Sequence, residues 1–207
     1  MPSRLTAKFF AREADEVARA LLGCTLVRIL DDGTRLAGRI VEAEAYMGAH
    51  DLASHARNNR RTPRTEPMFG PPGLSYIYFT YGMHHCFNVS CKAEHDPAAV
   101  LIRALEPTDG LEAMRRHRGP AHPDRDLCRG PGRLCQALAI GPPLNALDMT
   151  TSETLWIEGG NDQRLLLKSG ERAVRSGRIG MGDHGIWTTR QLRFYLRGSS
   201  FVSGKKV

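Results

Sequence analysis

Glu42 and Glu44 stand two residues apart in the stretch Arg39-Ile40-Val41-Glu42-Ala43-Glu44-Ala45-Tyr46, which reads as a β-strand. Alternate residues of a strand share a face, so Ile40, Glu42, Glu44 and Tyr46 fall together. Two carboxylates this close repel each other. Such repulsion raises the pKa of one of them and prepares a general base. No Lys or Arg on that face balances the pair; the competing reading is an outward polar face on an edge strand. A second stretch, Tyr76-Ile77-Tyr78-Phe79-Thr80-Tyr81-Gly82-Met83, places three tyrosines within six residues of a chain that is only 7% aromatic. Tyr76 and Tyr78 share one face, and Tyr81 lies opposite, beside a glycine that lets the chain turn. Aromatic rings near basic residues suit stacking on flat heterocycles. Tyrosine is also a good strand former, and both readings stand at this point. The grouping of His84, His85, Cys86, Cys91 and His95 suggests metal ligation, but a strand sends His84 and His85 to opposite faces. No metal is expected, and the five cysteines, which fit no disulfide or zinc spacing, are expected as buried thiols.

The elements that must position these groups follow from periodicity. Phe10, Ala14, Val17 and Leu21 form one stripe of a helix predicted over Ala7 to Leu22, with Gly23 as its stop. Cys24 to Leu30 and Arg35 to Tyr46, separated by Asp31-Asp32-Gly33, read as a hairpin. Met47 to Gly73 reads as an ordered, arginine-rich surface loop. Further strands are predicted at Leu74–Tyr81, His84–Cys91 and Ala99–Leu105, and helices at Asp109–Arg118 and Gly132–Ile140. Near the C-terminus Leu192, Phe194 and Leu196 alternate with Arg193, Tyr195 and Arg197, a half-buried strand with a basic outer face. Strands in runs with peripheral helices indicate an α+β fold around a largely antiparallel sheet.

The 207 residues are expected to form one domain, residues 1–207. No apolar run approaches the roughly 20 residues of a membrane span, and no signal sequence is evident, so a soluble intracellular protein is expected. Twenty-nine Lys and Arg against 22 Asp and Glu give a net charge of +7, which favours a polyanionic partner. The arginines group at Arg57, Arg60, Arg61 and Arg64, at Arg115, Arg116 and Arg118, and at Arg125, Arg129 and Arg133, as a phosphate track would require.

Several stretches, in order, resemble the alkyladenine (3-methyladenine, methylpurine) DNA glycosylase family that lacks a helix-hairpin-helix. They are Gly38 to Tyr46, Asp51 to His55, Arg61-Thr62-Pro63-Arg64, Met68-Phe69, Tyr76 through Asn88, Val100 to Pro107, Gly130-Pro131, Leu134 to Leu138 and Leu192 to Tyr195. The resemblance runs from about Arg4 to Ser203. It implies a single mixed domain around a curved antiparallel sheet. It implies a monofunctional enzyme that flips alkylated or deaminated purines out of double-stranded DNA and hydrolyses the N-glycosidic bond. Glu44 would be the base that activates water, and Arg103 would stand beside it and the flipped nucleotide's backbone, supplying the cation the two glutamates lack. Tyr46, His55 and Tyr78 would wall the pocket, Asn88 would lie at its edge, and Tyr81 would fill the gap in the stack. No cofactor is implied, a monomer is expected, and no lysine is among the matched residues, so Schiff-base chemistry is not expected. The sequence departs from the pattern at His84, where some relatives have tyrosine, and in the Lys92–Pro97 loop; it also starts almost directly at the first helix.

The chemistry is coherent with these residues. A purine alkylated on a ring nitrogen is a cationic leaving group, so a carboxylate that activates water can suffice without a strong acid. An aromatic pocket favours such a cation, and a weakly paired base flips at lower cost. Two rival readings are a non-catalytic nucleic-acid-binding module and a hydrolase of free nucleosides. Glu44 beside the tyrosines argues against the first, since a carboxylate facing phosphates weakens binding, and the arginine groups argue against the second.

Overall fold

The computed structural model describes residues 3–119, 121–159 and 167–204. Its centre is a pair of twelve-residue strands, β3 (Arg35–Tyr46) and β6 (Ala98–Asp109). The other strands are β1 (Ser3–Arg4), β2 (Thr25–Ile29), β4 (Ser75–Thr80), β5 (His84–Cys91), β7 (Leu155–Gly159), β8 (Arg172–Ser176) and β9 (Arg193–Arg197). The described strands form one open sheet in the order β1-β7-β2-β3-β6-β5-β4, and every pairing is antiparallel. The first half of β3 takes β2 as its neighbour. Past the end of β2, Glu42–Glu44 take β9 instead, and β8 extends that edge. Six helices surround the sheet among the described residues: α1 (Ala7–Phe10), α2 (Ala14–Ala20), α3 (Leu111–Arg118), α4 (Asp124–Leu127), α5 (Pro131–Ala137) and α6 (Ile186–Thr189). The expected α+β class with a largely antiparallel sheet is what the structure has.

Local chemistry explains the frame. Between β2 and β3 the Asp32 carboxylate accepts the Thr34 N–H at 2.8 Å and Gly33 takes φ +82°, the turn that the sequence signals. Gly38 lets β3 approach β6: a β-carbon there would lie 2.9 Å from that of Leu105. The helix predicted over 7–22 is broken between Phe10 and Ala14. Arg12 donates from Nε to the Phe9 carbonyl at 2.8 Å and stacks on the Phe9 ring, satisfying an end carbonyl that a continuous helix would have bonded. The apolar stripe of Phe10, Ala14, Val17 and Leu21 survives the break and is buried in the main core.

Two expectations about faces are corrected. The pairing of β3 with β6 slips across Ile40–Glu42, and Ile40 packs in the apolar core with Val41, Ala43 and Ala45 rather than beside Glu42. The basic outer face expected of the C-terminal strand does not exist. Arg193 and Tyr195 are buried and only Arg197 is exposed, because Arg193 finds a carboxylate partner inside.

Candidate active site

β3 carries Glu42, Glu44 and Tyr46 into the interior beside a second register slip, where β6 pairs Ala104 with Glu42 and Ile102 with Ala43. The residue skipped there is Arg103, and the slip frees its side chain to reach both glutamates. Its Nε donates to Glu42 Oε1 at 3.0 Å and its Nη1 to Glu44 Oε2 at 3.1 Å. Glu42 has a second cation, Arg193, whose Nε donates to Oε1 at 2.7 Å, and it accepts the Ser203 N–H at 2.6 Å. Glu44 accepts the Tyr46 hydroxyl on Oε2 at 3.2 Å and the Ile179 N–H on Oε1 at 2.7 Å. Both carboxyl groups are fully buried. Burial therefore raises the pKa of Glu44, Arg103 and the Ile179 N–H pull it back, and Glu42 adds to the rise. Burial disfavours the Arg103 cation, yet Glu44 and Glu42 outweigh that and hold its pKa above the ordinary arginine value.

The two glutamates share two arginines, so removing one partner leaves a buried charge exposed to no solvent. Glu42→Ala is expected to lower stability by about 3–5 kcal/mol, since among the described residues Arg193 would keep the Ser176 hydroxyl, the Ser203 carbonyl and the Tyr195 ring but no carboxylate. Urea unfolding checks this; a loss below about 1 kcal/mol would mean that Arg193 finds water or another acceptor.

Tyr46 and Arg103 form part of the wall of a cavity of about 340 Å³ that His55, Tyr78, Asn88 and Tyr81 also line. That volume lies within the roughly 300–1,000 Å³ usual for small-molecule sites. The long loop after β3 supplies His55, whose Nδ1 lies 2.8 Å from the Tyr76 hydroxyl and whose ring meets Tyr78 edge-on at 4.7 Å. Burial, with Arg64 and Arg57 nearby, pushes the His55 pKa down to about 4, so its imidazole is neutral at pH 7. Asn88 is buried opposite Tyr76 across β4 and β5, and its Nδ2 donates to the Tyr76 carbonyl at 2.9 Å. Tyr81 occupies the tip of the same hairpin at φ +51°, followed by Gly82 at φ +68°, and stands 83% exposed at the cavity mouth. All seven residues singled out from the sequence thus converge: six line the cavity, and Glu44 lies directly behind Tyr46, Arg103 and Ile179, which line it. Among the described residues no group of three His, Cys, Asp or Glu could hold a metal ion. None of the described helices is long and apolar enough to cross a membrane.

Sequence reasoning missed Arg193, Ile179 and the pair Asp51–Arg178. Arg193 gave a misleading signal through the strand alternation. Ile179 acts through its backbone, for which no residue type is diagnostic. Arg178 gave none, since it lies 127 residues from Asp51.

The chain matches the methylpurine-DNA glycosylase (MPG) family over residues 8–200. It is 46% identical over 209 residues to the human DNA-3-methyladenine glycosylase, covering 97% of this chain and 68% of that protein. It is 44% identical over 200 residues to a putative 3-methyladenine DNA glycosylase of Myxococcus xanthus, covering 96% and 93%. A putative 3-methyladenine DNA glycosylase of Clostridium botulinum is 38% identical over 209 residues, covering 98% and 100%. The chain spans about two thirds of the mammalian relatives' length, 68% of the human protein, 64% of the rat and 61% of the mouse, and nearly all of these two bacterial ones. With a family match across most of its length and relatives this similar, the chain belongs to the methylpurine-DNA glycosylase family, the DNA glycosylases of alkylated bases.

Proposed function

We propose that this protein flips a damaged purine out of duplex DNA into the Tyr46–His55–Tyr78 cavity and hydrolyses its N-glycosidic bond with a water activated by Glu44. The observation that carries this reading is the buried Glu44 carboxylate, gripped by Arg103 and standing directly behind an aromatic cavity. Its Oε1 accepts a single hydrogen bond among the described residues, from Ile179, which leaves a lone pair for a proton of water. The water oxygen attacks C1′ as the C1′–N9 bond breaks, the bonding electrons leave with the purine, and Glu44 takes the proton. For a base already cationic, those electrons neutralise the leaving group. Arg103 favours the anionic form of Glu44 against the effect of burial and places positive charge beside the sugar–phosphate of the flipped nucleotide. Among the described residues no lysine lines the cavity.

Two rivals predict different products. A duplex with one 3-methyladenine or hypoxanthine should release the free base and retain an intact backbone at the abasic site, while the corresponding free nucleosides should be left unhydrolysed. Tight binding without release would establish a non-catalytic module, and efficient cleavage of free nucleosides a nucleoside hydrolase.

Contact with duplex draws on fewer arginines than the sequence groups suggest. Arg61 pairs with Glu66, Arg115 makes two 2.8 Å bonds to Asp124, and Arg129 binds Asp126 and the Val202 carbonyl. Among the described residues Arg57, Arg60, Arg64, Arg116, Arg125 and Arg133 have no carboxylate closer than 3.8 Å. Six phosphate contacts would give a slope of about 5 in log K against log salt, and a subset gives about 3 to 5. Affinity for undamaged duplex from 50 to 300 mM salt checks this, and a slope below about 1 would leave these arginines as a solvated face.

A further inference from the structure

The Asp51–Arg178 pair is completely buried, and of the residues assigned to the site it meets Tyr46 directly. Arg178 Nη1 donates to Asp51 Oδ2 at 2.6 Å and to the Ala45 carbonyl at 3.1 Å. Its Nη2 donates to Asp51 Oδ1 at 2.9 Å and to the Trp187 carbonyl at 3.1 Å. The guanidinium lies over the Tyr46 ring, 4.7 Å from its centre. Asp51 in turn accepts the Met47 N–H at 3.1 Å and the Ala53 N–H at 3.0 Å. Four segments therefore meet at one ion pair: the end of β3, the turn over 47–53 that leads to His55, the backbone at 178–179, and the turn of Trp187. The two residues that touch Glu44 from this side are Tyr46, stacked under the guanidinium, and Ile179, covalently next to Arg178.

A pair of this kind has a poor claim to being there for stability alone. Apolar residues of similar volume commonly replace a buried ion pair without loss. Here Arg178 Nε is buried with no hydrogen-bond partner among the described residues, a cost that an apolar pair would not carry. What apolar residues cannot supply is the planar fork, which fixes several acceptors at set distances and angles. We propose that Asp51 and Arg178 are positioning residues for the general base: the clamp holds Tyr46 and the Ile179 N–H against Glu44, and fixes the entry of the His55 loop in the same stroke.

The proposal rests on the glycosylase reading above, and its test separates the two. The protein is compared with Asp51→Leu/Arg178→Met, which removes both charges together at similar volume and leaves the net charge unchanged. Arg178→Lys keeps the charge and loses the fork. Among the described residues the charged and titratable groups facing Glu44 are Arg103, Glu42, Tyr46 and Cys86, all left in place. Single-turnover excision from a lesion duplex is measured across pH, alongside melting curves and affinity for undamaged duplex. Misplacement of about 1 Å at a reacting group costs roughly 100-fold, so the double variant should stay folded with a lowered melting temperature, because the Met47 and Ala53 N–H groups and the Ala45 and Trp187 carbonyls lose a partner, and should bind undamaged duplex normally and excise roughly 100-fold more slowly. Its acid limb should move to higher pH, because Glu44 loses an N–H that favours its ionised form. Arg178→Lys should fall between. Folded variants that excise within threefold of wild type with an unmoved acid limb would overturn the clamp, and variants that no longer fold would assign the pair to stability and overturn it equally. A silent wild type would sink the glycosylase reading instead.

Discussion

Glu44→Gln is expected to slow excision about 1,000-fold while leaving affinity for lesion duplex within a few-fold of wild type. The size follows from the roughly 10²–10⁴ that a positioned general base contributes. Glutamine keeps the volume and shape of the side chain but cannot accept a proton. It also cannot accept on both ends: Arg103 and Tyr46 donate to one oxygen and Ile179 to the other, so the amide must turn its NH₂ toward one of these donors. One donor is then left unpaired in the interior, at about 1–3 kcal/mol, and a melting curve separates that loss from the lost chemistry. The pH dependence gives a second readout. Burial raises the pKa of Glu44 more than Arg103 and the Ile179 N–H lower it, so wild-type excision should fall on acidification at a pH above the ordinary glutamate range. The ionised form is the active one, which fixes the sign: activity is present above the raised pKa and lost below it. His55, neutral above about pH 4, should add no limb near neutrality. Excision by the variant within tenfold of wild type, or an acid limb that persists in it, would remove Glu44 from the role of base.

Much of this site was legible because it lies on strands with sharp ends. β3 and β5 begin and end where expected, at Arg35–Tyr46 and His84–Cys91, since a glycine-containing turn stands before each. That put Glu44 with Tyr46 on one strand face. What was not legible depended on contacts distant in sequence. β6 continues to Asp109 because pairing with β3 carries it through Pro107, which sits opposite Gly38. β7 and β8 gave no recognised signal, and among the described residues β8 pairs with β9. The stripe of the first helix was right while its continuity was wrong, because Arg12 and the Phe9 carbonyl found each other. Arg193 shows the limit of alternation most clearly. A charged residue at an outward-looking position reads as solvated, until a carboxylate on the neighbouring strand draws it inside. Arg103 was no better marked by its own stretch, and only the family resemblance assigned it to the glutamates.

Tyr81→Ala should slow excision from duplex by about 30- to 150-fold and scarcely change excision from the same lesion in single-stranded DNA. Removing a purine from the stack costs a few kcal/mol, and unless something occupies the gap the base returns. Filling that gap with a side chain worth about 2–3 kcal/mol corresponds to the stated range at 1.36 kcal/mol per tenfold. The structure gives Tyr81 the attributes such a wedge needs. It is held at the hairpin tip by two successive left-handed residues, it is 83% exposed although β4 and β5 are otherwise largely buried, and it borders the cavity that would receive the displaced base. Its high exposure also means that no core packing is lost on truncation, so the melting temperature should stay within a degree or two. Met83, 70% exposed on the far side of Gly82, makes a control: it shares the tip but does not line the cavity, and Met83→Ala should cost less on duplex than Tyr81→Ala. A single-stranded lesion has no stack to leave, so the wedge has nothing to hold open there. Single-turnover rates of both variants on both substrates decide the matter. Equal losses on duplex and single strand would make Tyr81 part of the cavity wall, and no loss on either would leave it an exposed tyrosine without a role in flipping.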